Sequence, residues 1–282
     1  HNCATEAFLV SGRPRFNQRR LSDMEKLVAT PYGTGYLRDD KHSIEFINDE
    51  TGKLTIWLPP KDFKRYLIAA DVAGGIPEGA EIDNEEADHR AWSVAAVFDR
   101  SSWEIVAELR LRCDPGEFGR MLCVLGEFYE FAILAPESNN HGAATIEAIK
   151  QMQYPHLLRT TELWPDEVER PGFPTTAKTK TLILTALYNA IEHQSYRENS
   201  LVAIEEMQTA VYASDGTMTS EGGFLDCVIT RAIGLYALKF LTFDESYRDK
   251  GKRDTLQVTR VAGWSKPEPA EKAKRPWMRK VA

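Results

Sequence analysis

Three acidic residues stand where acids are costly. Asp71 closes the apolar run RYLIAAD, Glu137 closes FAILAPE, and Asp226 opens the apolar segment FLDCVITRAIGLYALKF. A carboxylate at the edge of a buried element must be paired or hold a metal ion. Drawn together from three distant segments, such side chains supply charged oxygen donors, which suit hard ions such as Mg²⁺. Two ions about 3.5 to 4 Å apart, bridged by a shared carboxylate, activate water and offset the charge that builds on a phosphodiester during hydrolysis. Singly, Asp226 also reads as a helix cap and Glu137 as a salt-bridge partner. Asp71, directly after LIAA, has no such ordinary explanation.

The elements that must carry these acids follow from periodicity. SIEFIND and KLTIWLP alternate apolar and polar residues around Glu50, Thr51 and Gly52, which predicts a hairpin over residues 43–58. RYLIAADVAGG reads as a central strand ending at Asp71. AWSVAAVFD (91–99) and WEIVAELRL (103–111) are two more strands, and the three are expected to form an antiparallel meander with tight turns. Pro115 opens a helix, FAILAPE (131–137) is a strand, and GAATIEAIKQM is the helix after it. Further helices are predicted over 177–194, 201–212 and 224–240, with TMTSEGG as a turn or short strand between the last two. This order gives an α/β fold, a mixed sheet with helices on both faces.

Residues 1–40 read as a connector arriving from something upstream, 41–245 as the main domain, and 246–282 as a basic, flexible tail. From Arg248 onward there are eleven basic residues against four acidic ones, although the whole chain carries a net charge of −7. An acidic body beside a basic tail is compatible with phosphate contact near a carboxylate pocket; a solvated terminus is the plainer alternative. No run of about 18 apolar residues is present to span a bilayer, and the opening HNCATEAFLVSG lacks the layout of a secretory signal. Cys3, Cys113, Cys123 and Cys227 form no C-x-x-C pair, so reduced and mostly buried thiols are expected.

Lys178 and Lys180, in TTAKTK, either neutralise phosphates or simply start a solvated helix. His89 beside Asp88, and the NNH triplet, suggest a histidine–metal nuclease only superficially, since no ββα pattern surrounds them. The glycines of YGTGY and DVAGG lack the Gly-Lys-Ser/Thr ending of a phosphate loop, so no ATPase motif is visible.

An ordered series of motifs, YLIAADVAGG, DHRAWSVAAVFD, APESNNHGAATIEAI, GFPTTAKTK and FLDCVITRAIGLYAL, spans residues 66–238. The series resembles the nuclease domain of the large terminase subunit of tailed bacteriophages, and FLVSGRPRF resembles the junction after that family's ATPase domain. The resemblance implies an RNase H-like fold, to which the N-terminal β-hairpin and basic C-terminal tail read above would be added. It also implies cleavage of concatemeric viral DNA during genome packaging with Mg²⁺ or Mn²⁺, two ions being expected, and low sequence preference. By motif position Asp71 would bridge the ions, Glu137 and Asp226 would complete the sites, and Asp88 would support them. Asn140 and Gly142 would shape the loop beside the metals. The family's last motif usually has two adjacent aspartates, whereas Leu225 precedes Asp226 here. Expected partners are double-stranded DNA and, in the full-length form, portal protein, small terminase subunit and other copies of the chain, in the host cytoplasm with no membrane. The alternatives are a stand-alone resolvase-like nuclease acting on branched DNA and a catalytically silent domain docking on a portal or partner subunit.

Overall fold

The computed structural model describes residues 13–40, 43–74, 92–212, 218–220 and 224–241; Asp88, His89 and the basic tail lie outside them. Helix α1 (Gln18–Glu25), capped by the Asn17 side chain, comes first and buries Leu21 and Met24. Strands β1 (Gly33–Asp39), β2 (Ile44–Asn48) and β3 (Leu54–Ile56) follow. The expected hairpin over 43–58 is replaced by a different pairing. β1 pairs with β2 on one side and with β3 on the other, so β2 and β3 never meet. An N-terminal hairpin is therefore present, but it is built from β1 and β2, and GTGYLRD is a sheet strand rather than connector. Its glycines concealed it, because glycine reads as a turn residue. A Cβ on Gly35 would lie 1.9 Å from the Ile47 carbonyl oxygen, so glycine is what lets β1 fit between its neighbours.

Strands β4 (Tyr66–Asp71), β5 (Ser93–Asp99), β6 (Glu104–Leu111) and β7 (Ile133–Pro136) complete a seven-stranded sheet in the order β2-β1-β3-β6-β5-β4-β7. β4 to β6 are antiparallel as expected, and β7 runs parallel to β4. Only the β5–β6 connection is a tight turn, since residues 72–92 separate β4 from β5. β4 and β5 are buried on both faces, which is why YLIAA and SVAAVF are continuous apolar runs rather than alternating ones.

Helices α2 (Pro115–Phe128) and α3 (Gly142–Gln151) cover one face, packing Phe118, Leu122, Leu125 and Ile149 against Ile68, Ala70, Ala95 and Val97. After the single-turn α4 (Thr160–Leu163), helices α5 (Ala177–Glu192), α6 (Leu201–Thr209) and α7 (Asp226–Leu238) cover the other. There Ile183, Leu187, Ile204, Ala232 and Ile233 meet Leu67, Ala69, Val94, Ala96 and Phe98. Each of the leucine, isoleucine, valine and phenylalanine side chains taken fully from water contributes roughly 1.5–3 kcal/mol, so both faces help hold the sheet in place. Cys113, Cys123 and Cys227 are buried and unbridged, as expected.

The helix expected over 201–212 stops at Thr209. Ala210 is extended (φ −70°, ψ 121°), and Ala210–Tyr212 is strand β8, paired with β9 (Met218–Ser220). Val211 and Tyr212 favour strand geometry. The chain before α1 adds to them, with Arg15 N–H donating to the Ala210 carbonyl (2.8 Å) and Tyr212 N–H to that of Arg13 (3.1 Å).

Candidate metal centre

Parallel pairing of β4 with β7 sets the site. Ala70 lies opposite Pro136, and the Glu137 N–H donates to the Ala70 carbonyl (2.8 Å). Asp71 and Glu137 therefore leave adjacent strands at the same end of the sheet, close enough for Glu137 to act on the Asp71 carboxyl. Burial first, then the neighbouring Glu137 and the negative charge of Asp226, push the Asp71 carboxyl well above the usual carboxylate range. Of the three acids singled out from the sequence, Asp71 thus lies within electrostatic reach of both others.

Asp226 begins α7, where the partial positive charge of the helix end favours an anion. Its carboxylate accepts the Trp92 N–H at 2.7 Å. Burial raises its pKa, against the opposing pull of the Trp92 N–H and of Arg110 and Arg112. Leu225 stands at the cap position without a side-chain bond and packs on the core. Capping comes instead from Glu206 on α6, which accepts the N–H groups of Cys227 (2.8 Å) and Val228 (3.3 Å). Deeper in α7, the fully buried Arg231 pairs with Glu108 on β6 and with Glu198 (3.0 Å) ahead of α6. This network joins helix, sheet and loop beneath the acids.

The loop from Glu137 to α3 has the shape its residues require. Asn140 adopts a left-handed conformation (φ 44°), which asparagine tolerates better than most residues. A Cβ on Gly142 would lie 1.9 Å from the Glu137 carbonyl oxygen. Both residues thus hold the backbone around Glu137. Phe173 N–H donates to the Pro136 carbonyl (2.8 Å), Ser138 N–H to that of Phe173 (2.9 Å), and the Asn139 amide to that of Thr175. The start of α5 is thereby tied to the Glu137 loop, and Lys178 and Lys180 stand exposed on its first turn. Asp88 lies outside the described residues.

Sequence reasoning missed Glu206, Arg231, Trp92, Arg110 and Arg112. Arg231 carried a signal, because a lone cation in the apolar helix ITRAIGLYAL must find buried anions. Glu206 carried a fainter one in its apolar surroundings.

Oxygen donors alone, with the Asp71 carboxyl raised by burial and by the charges of Glu137 and Asp226, fit a hard divalent cation. Among the described residues, no three His, Cys, Asp or Glu side chains are gathered closely enough to hold an ion as they stand. One oxygen of Asp226 is taken up by the backbone N–H of Trp92.

No protein-family model and no curated protein sequence matches the chain. Solved structures do. The large terminase nuclease from thermophilic phage G20c with bound magnesium superposes with a TM-score of 0.54 at 16% identity, covering 80% of this chain and 97% of that one. The same nuclease with bound cobalt gives 0.53 at 16%, again covering 80% and 97%. The Thermus phage P74-26 large terminase nuclease domain gives 0.51 at 16%, covering 76% and 93%. The chain shares the RNase H-like α/β fold of large terminase nuclease domains, as the motif resemblance implied. Among the described residues no helix is long and apolar enough to cross a membrane.

Proposed function

We propose that this chain is the nuclease domain of a phage large terminase, a metal-dependent endonuclease that cuts concatemeric viral DNA during packaging. The observation that carries the reading is the adjacency of Asp71 and Glu137 at one end of a sheet whose fold is that of large terminase nucleases, with the charge of Asp226 acting on Asp71. Asp71 and Glu137 would hold Mg²⁺ or Mn²⁺, with Asp71 shared between two ions. Asp226 would join directly or through water, which Mg²⁺ usually retains. Bound there, the ions would supply activated water and neutralise charge on the phosphate. Asp88 would be a supporting acid, and Asn140, Gly142, Lys178 and Lys180 would shape the loop and meet the DNA backbone. In the full-length protein the partners would be portal protein, small terminase subunit and other copies of the chain, in the cytoplasm of the bacterial host.

The test is incubation with supercoiled, linear and branched DNA in Mg²⁺, Mn²⁺ or EDTA. Cutting of supercoiled and linear DNA that EDTA abolishes is the expected result. Preference for branched DNA would point to a resolvase-like enzyme, and no cutting under any condition would contradict the proposal.

A further inference from the structure

Two arginines crowd one aromatic ring at the edge of the acidic centre. The guanidinium carbons of Arg110 and Arg112 lie 4.1 and 4.2 Å from the centroid of Trp92, the residue whose N–H holds Asp226. Their placement follows from register. Asp71 lies opposite Val94, and Val94 opposite Arg110, so Asp71 and Arg110 stand two strands apart in one row. Glu108 and Arg110 fall on the α7 side of β6, as Glu108 shows by pairing with Arg231, while Leu109 and Leu111 pack on the other side. Leu67 and Ala69 mark the same α7 side on β4, which is the side Asp71 shares.

Arg110 stacks on Trp92, and its charge acts on Asp226. Its Nε is buried and makes no hydrogen bond. Both positive charges act on the Asp226 carboxylate, and their shared seat on one ring concentrates positive charge beside the acids, where a further anion can be received. Phosphate is the anion whose geometry a guanidinium fork matches, and the stacked ring leaves the fork pre-oriented. A phosphodiester approaching three carboxylates also needs positive charge from the protein in addition to any metal.

Building on the nuclease reading, we infer that Arg110 and Arg112, seated on Trp92, form a grip for the DNA backbone phosphates beside the acidic centre. The grip reads charge and shape rather than base sequence, since phosphate contacts carry no sequence information directly. Arg110 and Arg112 here are positioning residues for the substrate.

The experiment compares the whole chain with its R110Q, R112Q and R110K variants. Binding of a short duplex is followed by fluorescence anisotropy across a salt series, and Mn²⁺ binding without DNA by titration calorimetry. Each glutamine variant is expected to weaken duplex binding about tenfold for every sequence and to reduce the slope of log affinity against log salt by about 1. R110K should restore most of the slope, because charge is kept while the fork is lost. Mn²⁺ binding should hold or tighten in both glutamine variants, because a cation near the carboxylates has been removed; a merely structural loss would weaken metal and DNA binding together. Unchanged affinity and slope in variants of a chain that cuts DNA would overturn the grip and leave the nuclease reading intact. Reduced slopes in a chain that binds but never cuts would support the grip and count against the nuclease. Absence of DNA binding by the unaltered chain would overturn both.

Discussion

Asp71 and Glu137 leave neighbouring parallel strands side by side, close enough for Glu137 to push up the pKa of Asp71. Two carboxyl groups so placed cannot both be ionised cheaply, so one proton is retained well above the usual carboxylate range. The arrangement holds charge repulsion in reserve for whatever cation relieves it.

Removing that repulsion should stabilise the metal-free protein while abolishing function. Asp71→Asn keeps the shape and discards the charge. Its melting temperature without metal at pH 8 is expected to rise above that of the unaltered chain by an amount on the order of 1 kcal/mol, about 2–4 °C. A fall of that size in a thermal melt would show that Asp71 is held by favourable contacts instead.

The same groups set a pH dependence. Asp71, Asp226 and Glu206 all have pKa values raised chiefly by burial. A raised carboxyl favours the folded state fully below its ordinary pKa, and that contribution is lost as pH climbs through the folded value. Without metal, stability should therefore decline from pH 5 to pH 8. Mg²⁺ at a hundredfold excess over its Kd should return about 2.7 kcal/mol at pH 8, and its binding should release protons. Melts with and without Mg²⁺, and calorimetry in buffers of different ionisation heat, read both effects.

Gly142 should accept no side chain. A methyl group there meets the backbone oxygen of Glu137 at 1.9 Å, and backbone cannot swing aside. Gly142→Ala is expected to cost about 1–3 kcal/mol in denaturant melts and to lower cleavage by displacing Glu137. Wild-type stability and activity in this variant would contradict the loop geometry.

Arg231 holds α7 to the sheet through Glu108 and Glu198, both buried. Arg231→Met leaves two uncompensated carboxylates and should destabilise the fold by about 3–5 kcal/mol. Replacing Glu108 and Glu198 with Gln in the same chain should recover part of that loss. Equal stability of the single and triple variants would exclude charge as the reason.

The three acids were legible because each interrupts an apolar run at its end, a pattern that survives whatever the loops do. Strands β4 and β5 were legible for the same reason, their apolar runs being too long and too dense in β-formers to read otherwise. What escaped was set by partners far away in the chain. β1 was read as part of the connector because Gly33 and Gly35 answer to β2 and to Gly52, not to local conformation. The last three residues of the α6 segment became β8 through pairing with Met218–Ser220 and the chain before α1. Glu206 could not be assigned as the cap of α7 because the residue it replaces, Leu225, is nineteen positions further on and gives no hint of the substitution.

The central claim is that Asp71 stands at a metal-dependent nuclease centre. Its most direct test is the rate of plasmid cleavage in Mn²⁺ and in Mg²⁺ by the unaltered chain and by Asp71→Ala, with folding of both checked by circular dichroism. The account predicts cutting by the unaltered chain that EDTA stops, and a loss on the order of 10³-fold or more in the variant, the equivalent of several kcal/mol of transition-state stabilisation. Equal cleavage by a folded Asp71→Ala protein would contradict it.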